Sequence, residues 1–308
     1  MGKMIFIILI AIIIVISFAK LRKKKKLQLK YEKVPSQLGF LNPIGKPIAS
    51  HLELSLLRNF QKDVKGRMLQ SHSKWNENDF SWRLFELKRY FVLNSMLKTV
   101  PMFSSEVDEV WHEMLMFTKE YESFSQKFFK GFLHHTPNLD ATPIPGERAF
   151  FDWMYLSLFK PKFNSRLLWG GFLSDPIKKE ILDDFNHLSE EELLERYFRQ
   201  NGDWMETKRY LIQKMKKEIS QARDFEKENK TFRKVTSENE YHKLLPAAVF
   251  FSLYEPDLYQ HNMNELLPYY SAKSAGGSSS CSGYGCSSSS SNNDSGGSSS
   301  CSSCGGGD

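Results

Sequence analysis

Residues 4–19, MIFIILIAIIIVISFA, form an uncharged, isoleucine-rich run that is too apolar for the surface of a soluble domain and longer than a typical buried strand. As a helix rising about 1.5 Å per residue it covers about 24 Å. Gly2 and Leu21 would extend it, with Lys20 snorkelling, to complete a crossing of the roughly 30 Å hydrocarbon layer. From Ala19 the chain reads AKLRKKKKLQLK, a basic block with no small-x-small cleavage site, which favours a retained anchor over a removable signal peptide. Phe6 stands where myristoylation of Gly2 requires Ser or Thr. Only Lys3 and the α-amino group precede the run, whereas Lys20, Arg22, Lys23, Lys24, Lys25 and Lys26 come directly after it. The positive-inside rule therefore predicts a single-pass cell-membrane protein with a short N-terminus outside, the rest of the chain in the cytoplasm and the basic block against anionic headgroups.

That block also accounts for the charge. The formal net charge is +6, yet residues 1–30 hold eight bases and no acid, so residues 31–308 carry −2. A nearly neutral remainder without a basic face gives phosphate backbones nothing to bind, and nucleic acid is excluded as a partner.

At the other end, 16 of the 35 residues in 274–308 are Ser and nine are Gly. Such a composition cannot bury enough apolar surface to offset its ordering entropy and predicts a disordered tail over 273–308. All four cysteines lie there, Cys281, Cys286, Cys301 and Cys304, spaced C-x4-C-x14-C-x2-C. The spacing overlaps that of four-thiolate zinc sites, although the tract lacks the residues that pack around a zinc knuckle. A zinc or redox element on a tether and four reduced, structurally idle thiols are the two readings.

Between these ends the pattern is helical, which predicts an all-α class. The expected division is a 1–21 anchor, a 22–34 basic juxtamembrane linker, a 35–272 helical cytoplasmic domain and the 273–308 tail. Ser50-His-Leu-Glu53 reads as a capping box leading to Leu56, Leu57, Phe60, Val64 and Met68. A helix from Asp79 presents Phe80, Leu84, Leu87 and Phe91, another begins at Ser105-Glu-Val-Asp108, and Ser189-Glu-Glu-Glu192 caps a third. The helix from Trp204 grows so charged that it is expected to project into solvent. LLPAAVFFSLY at 244–254 is too short to span a bilayer and reads as a buried core helix.

The chemistry-bearing stretch is residues 104–137, SSEVDEVWHEMLMFTKEYESFSQKFFKGFLHHTP, with three of the chain's eight histidines. Val107, Val110, Trp111, Met114 and Leu115 form an apolar helical stripe with Asp108 and His112, four residues apart, at its margin. A second helix comes next, with Tyr121, Phe124, Ser125, Phe128 and Phe129 facing inward. The two read as a hairpin whose far end carries His134 and His135, and the sequence does not say which of these reaches His112. Met116 excludes an HExxH protease motif, and Glu109-x-x-His112 lacks the second copy that a di-iron bundle needs. Asp108, His112, His134 and His135 are the candidate ligands for a divalent metal such as zinc. The competing reading is packed, hydrogen-bonded histidines at a core margin.

Val107, Asp108, Trp111, His112, Thr118, Tyr121, Gly131 and His135 resemble the signature of the glycine-rich domain-containing protein-like family, over about residues 35–160. The resemblance implies an α-helical domain of largely unassigned biochemical role. Family members often carry a second His where this chain has Met114 and a Cys where it has Ser125, so two further ligand positions of that pattern are not filled here. Three functions compete. The first is a membrane-anchored binding or scaffolding module with a protein partner. The second is a metal-dependent enzyme using Asp108 and His112 with His134 or His135. The third is a zinc or redox role for the tail cysteines.

Overall fold

The computed structural model describes residues 27–135, 145–228 and 231–268, and the described residues form twelve α-helices, four short 3-10 turns and no strand. The all-α expectation is met. The apolar run 4–19, the basic residues Lys20, Arg22, Lys23, Lys24, Lys25 and Lys26, most of the Pro-rich 137–146 connection and the tail with its cysteines lie outside the described residues. Among the described residues no helix is long and apolar enough to cross a membrane.

In the first half, α1 (Lys46–Ser55), α2 (Arg58–Ser71), α4 (Ser105–Leu115) and α5 (Thr118–Phe129) gather round the twenty-residue α3 (Glu77–Met96). Asn76 and Asp79 close a reciprocal capping box at the start of α3, and beyond it every residue but the exposed Ser81 and the half-buried Lys88 is buried, as befits a helix central to a core. In the second half α10 (Met205–Glu228) is the axis, contacted by α6 (Pro145–Leu158), α8 (Lys179–His187), α9 (Glu190–Tyr197) and α11 (Leu245–Tyr254), with α12 (Tyr259–Leu266) against α11. The short α7 (Phe163–Trp169) packs on α3 and links the halves. Two antiparallel bridges, Phe40 with Phe159 and Leu97 with Phe198, add backbone stitches across the same junction.

The firmest link is a buried charge network. Glu86 and Arg89, one turn apart on α3, are both fully buried. Arg89 donates to Leu38 O at 2.9 Å, Lys160 O at 3.0 Å, Glu86 Oε1 at 3.1 Å and the Tyr155 hydroxyl at 2.5 Å. Tyr155 OH and Trp169 Nε1 donate to Glu86 Oε2 at 2.6 and 2.8 Å. Each nitrogen of the Arg89 guanidinium and both carboxylate oxygens of Glu86 thereby have partners, and α3, α6 and α7 are held in one register. Gly39 is required beside it. Its φ is +60°, and a Cβ there would stand 2.7 Å from Arg89 Nη2.

Several expectations are corrected. Ser50 does not cap a helix. It lies inside α1, which starts at Lys46 with Pro47 in its first turn, and the 46–71 stretch is two helices broken at Leu56–Leu57, where Leu56 turns into the core. The cap of α4 is Ser104, one residue earlier than read, its hydroxyl accepting from Val107 N at 3.1 Å, which leaves Asp108 free of capping duty. The helix read from Trp204 meets solvent at its charged end, where Arg223, Asp224 and Glu226 are exposed, but its earlier turns are packed. Leu211, Ile212, Met215, Ile219 and Ala222 bury it for most of its length, and even Lys208 is buried, donating to Arg199 O at 2.6 Å. The described part of the 22–34 segment is no free linker. Lys30 N and O bond the Asn164 side chain, each at 2.8 Å, and Glu32 O accepts from Trp82 Nε1 at 2.9 Å, so the chain is docked from Leu27 onward. By contrast the Ser189–Glu192 capping box and the buried helix within 244–254 are as the sequence reads.

Candidate metal site

Helix α4 carries four acids, and the fold disposes of three of them. Glu106 pairs with the buried Arg83 of α3, Glu109 with His72 just past α2 at 3.3 Å, and Glu113 with Arg67 of α2. Asp108 alone turns toward two histidines. Its Oδ2 lies 3.5 Å from His112 Nε2, the i,i+4 partner read from the sequence, and its Oδ1 lies 2.8 Å from His135 Nε2. The two imidazole centroids are 4.6 Å apart. One ligand atom from each of the three residues falls within 4.8 Å of the others.

His135 reaches this point because the chain after α5 is folded back and pinned. Lys130 takes the left-handed φ of 58° that ends α5. Trp111 Nε1 donates to Tyr121 OH at 3.0 Å, and Tyr121 OH donates to Leu133 O at 2.7 Å. Ser125 accepts from Leu133 N at 2.6 Å and donates to Gly131 O at 2.8 Å. The His135 ring then stands edge-on to Trp111 at 4.4 Å, with its side chain only 6% exposed. Most of the motif thus has a physical task. Val107 and Trp111 bury α4, Tyr121 and Gly131 hold the return segment, and Asp108, His112 and His135 converge.

Of the four candidate ligands, the structure brings together Asp108, His112 and His135 and leaves His134 out. His134 is exposed and lies over Phe132 at 4.8 Å, because consecutive residues in extended chain face opposite sides. The unfilled positions of the family pattern do not break this cluster. Met114 is buried against Leu56, Phe60 and Val64, away from the histidines, and Ser125 is engaged with the backbone. Sequence reasoning placed Ser125 inward without its backbone role, and missed Ser104 and the partners Arg83, His72 and Arg67 that take the other acids of α4. Only Ser104 had a readable signal, as a hydroxyl at the cap position before an apolar stripe.

The hinge of the arrangement is titratable. Burial pushes the Tyr121 hydroxyl up to about 12, and burial raises Tyr90 and Tyr155 as well. A folded-state pKa above the unfolded value near about 10 contributes stability that is complete below that pH and lost as the pH rises through the folded value. Denaturant stability is therefore expected to fall between about pH 10 and about pH 12. Tyr121→Phe should make that fall shallower, and phenolate absorbance followed through the same range checks both statements.

Residues 50–143 are similar to the family described as UCP032817-like, a description that names no activity. No curated protein and no solved structure matches the chain. The family match spans the whole of the Asp108, His112 and His135 cluster, which makes that cluster a property of the matched segment and not of the remainder of the chain.

Proposed function

We propose that this chain is a membrane-tethered helical domain that binds a first-row divalent metal of the zinc class at Asp108, His112 and His135. The observation that carries the proposal is the convergence of one carboxylate and two imidazoles within 4.8 Å. Tetrahedral bonds of about 2.0–2.1 Å place ligand atoms about 3.3 Å apart, and the two carboxylate oxygens of Asp108 lie 2.8 and 3.5 Å from the His135 and His112 nitrogens, Oδ1 and Oδ2 respectively, so small side-chain shifts bring one oxygen and both rings to that spacing. Nitrogen and oxygen donors without thiolate suit zinc and its neighbours. His112 is half exposed, so the fourth position faces solvent, the pattern of exchangeable or catalytic sites. There a metal would polarise a carbonyl or activate water. The neighbouring acids Glu109 and Glu113 are paired with His72 and Arg67, which supports metal binding ahead of a complete hydrolytic set.

Metal content of the purified full-length protein tests this, measured alongside a variant with all four tail cysteines changed to Ser so that tail zinc is counted separately. The expected result is near-stoichiometric zinc in the cysteine-free form. Affinity should fall by roughly a hundredfold or more in His135→Ala, beyond the 10–100-fold typical of losing a supporting residue, and stay unchanged in His134→Ala. Failure of the cysteine-free protein to hold zinc, or equal binding by His135→Ala, overturns it. Cobalt substitution would report coordination number directly.

The tether and cytoplasmic orientation rest on the apolar run and the basic block, and a reporter fused after Ala272 tests them. The likeness to the glycine-rich domain-containing protein-like family rests on the eight motif residues and the composition of the tail. A second reading, a binding or scaffolding module for a protein partner, is favoured by exposed Leu57 and Met116 at the α1–α2 and α4–α5 turns, near which the rings of Phe60 and Phe117 stand 6.0 Å apart. Loss of a specific cross-link in Leu57→Asp would support it.

A further inference from the structure

A groove of about 640 Å³ opens between residues 34–38, α1, α2 and α3, and none of Asp108, His112 and His135 lines it. That volume lies in the range of roughly 300–1,000 Å³ used for single small ligands. Its floor is apolar, from Leu38, Ala49, Phe80, Leu84 and Phe85. Its rim is cationic. Lys62, Lys65 and Lys88 line it against one acid, Glu53, which Lys88 meets at 2.7 Å, while Lys65 is held by Glu77 at 3.0 Å. An apolar trough with an excess of ammonium groups at the mouth complements a ligand with a hydrocarbon body and an anionic head.

The wall is built at a cost. Gln37 and Leu38 both adopt left-handed backbone, φ 48° and 55°, immediately before Gly39 at 60°. Non-glycine residues in that region are strained and persist only when neighbours over-determine them. Here Arg89 fixes Leu38 O at 2.9 Å and Lys160 N fixes Gly39 O at 2.9 Å, so the buried network holds the groove wall open.

The position of the groove names the source of its ligand. Seven residues separate Lys26, the end of the basic block, from Val34 in the groove wall, and they reach at most about 28 Å. From Leu27 onward they are docked on the domain. We propose that the groove holds an acyl chain of an anionic phospholipid from the membrane to which the chain is tethered, with its head against Lys62, Lys65 and Lys88. The proposal rests on the tether reading for the source of the lipid and is independent of the metal site.

Titration of the full-length protein in non-ionic detergent with a dansyl-labelled undecanoic acid tests it, with phosphatidylglycerol and phosphatidylcholine as competitors. The expected result is saturable binding displaced by phosphatidylglycerol and not by phosphatidylcholine. Affinity should fall at least tenfold in Ser81→Trp, which fills the mouth from an exposed position on α3, and severalfold in Lys62→Glu, which leaves the apolar floor intact. His135→Ala should bind as the parent does, so that failure of the metal reading leaves this result untouched. Three outcomes would overturn the proposal. They are equal binding by both groove variants, equal binding of the probe's neutral methyl ester, or displacement by free fatty acid but not by phosphatidylglycerol.

Discussion

Replacing Arg89 with leucine is expected to destabilise the protein by about 3–5 kcal/mol, the range found when one partner of a buried ion pair is removed. Glu86 would remain fully buried with only Tyr155 and Trp169 as donors, and the carbonyls of Leu38 and Lys160 would lose theirs. Urea denaturation followed by tryptophan fluorescence measures the loss. Tyr155→Phe removes one hydroxyl from the same network and should cost less, about 1–3 kcal/mol. The double change Glu86→Leu with Arg89→Leu should recover much of the Arg89→Leu deficit, because an apolar pair leaves no orphaned charge. If the double variant is no more stable than Arg89→Leu, the cost lies in packing at α3, α6 and α7 rather than in the stranded carboxylate. Because Arg89 also fixes the wall at Leu38, Arg89→Leu should weaken the lipid probe as well.

Phe91→Ala should have a comparable effect on stability, about 3–5 kcal/mol for a phenyl ring removed from a closed core. Phe91 is fully buried on α3 behind the α4–α5 hairpin, with ring centroids 5.6 Å from Trp111, 5.3 Å from Phe124 and 5.9 Å from Phe129. The cavity would open beneath Trp111, whose indole both supports Tyr121 and borders His135. Zinc affinity is therefore expected to fall along with stability, though by less than in His135→Ala. A variant that loses stability with unchanged zinc affinity would show that the hairpin positions its ligands without the core behind it.

The two variants divide the molecule in a useful way. Arg89 belongs to the junction between the halves and to the lipid groove, whereas Phe91, two residues on, belongs to the core under the metal ligands. Helix α3 carries both on successive faces, which is why its near-complete burial matters to function.

Much of this was written in the chain itself. The helical period announced an all-α class, and the apolar stripes on α4 and α5 correctly named Val107, Val110, Trp111, Met114, Tyr121, Phe124 and Phe128 as core. The pairing of Asp108 with His112 came from their separation of one turn on a helix, a purely local relation. The Ser189 capping box was equally local.

What the sequence left open needed contacts distant in the chain. Helix ends at Leu56–Leu57 carry no Gly or Pro, so the break there is set by Leu56 turning into the core and not by local propensity. The charged face of α10 looked like a solvent face because nothing local shows that Lys208 would meet Arg199 O or that Glu218 would receive Trp153. The choice of His135 over His134 depended on Tyr121 and Ser125 fixing the return segment, since a one-residue slip in extended chain exchanges the two rings. Sequence thus determined which residues could be ligands and which faces must be buried, because those depend on residue type and helical period. Only the tertiary structure decided that Glu106 and Glu113 meet Arg83 and Arg67, that Glu109 meets His72, that Asp108 meets His135 as well as His112, and that the groove stands open beside Leu38, because each depends on side chains that meet across separate segments.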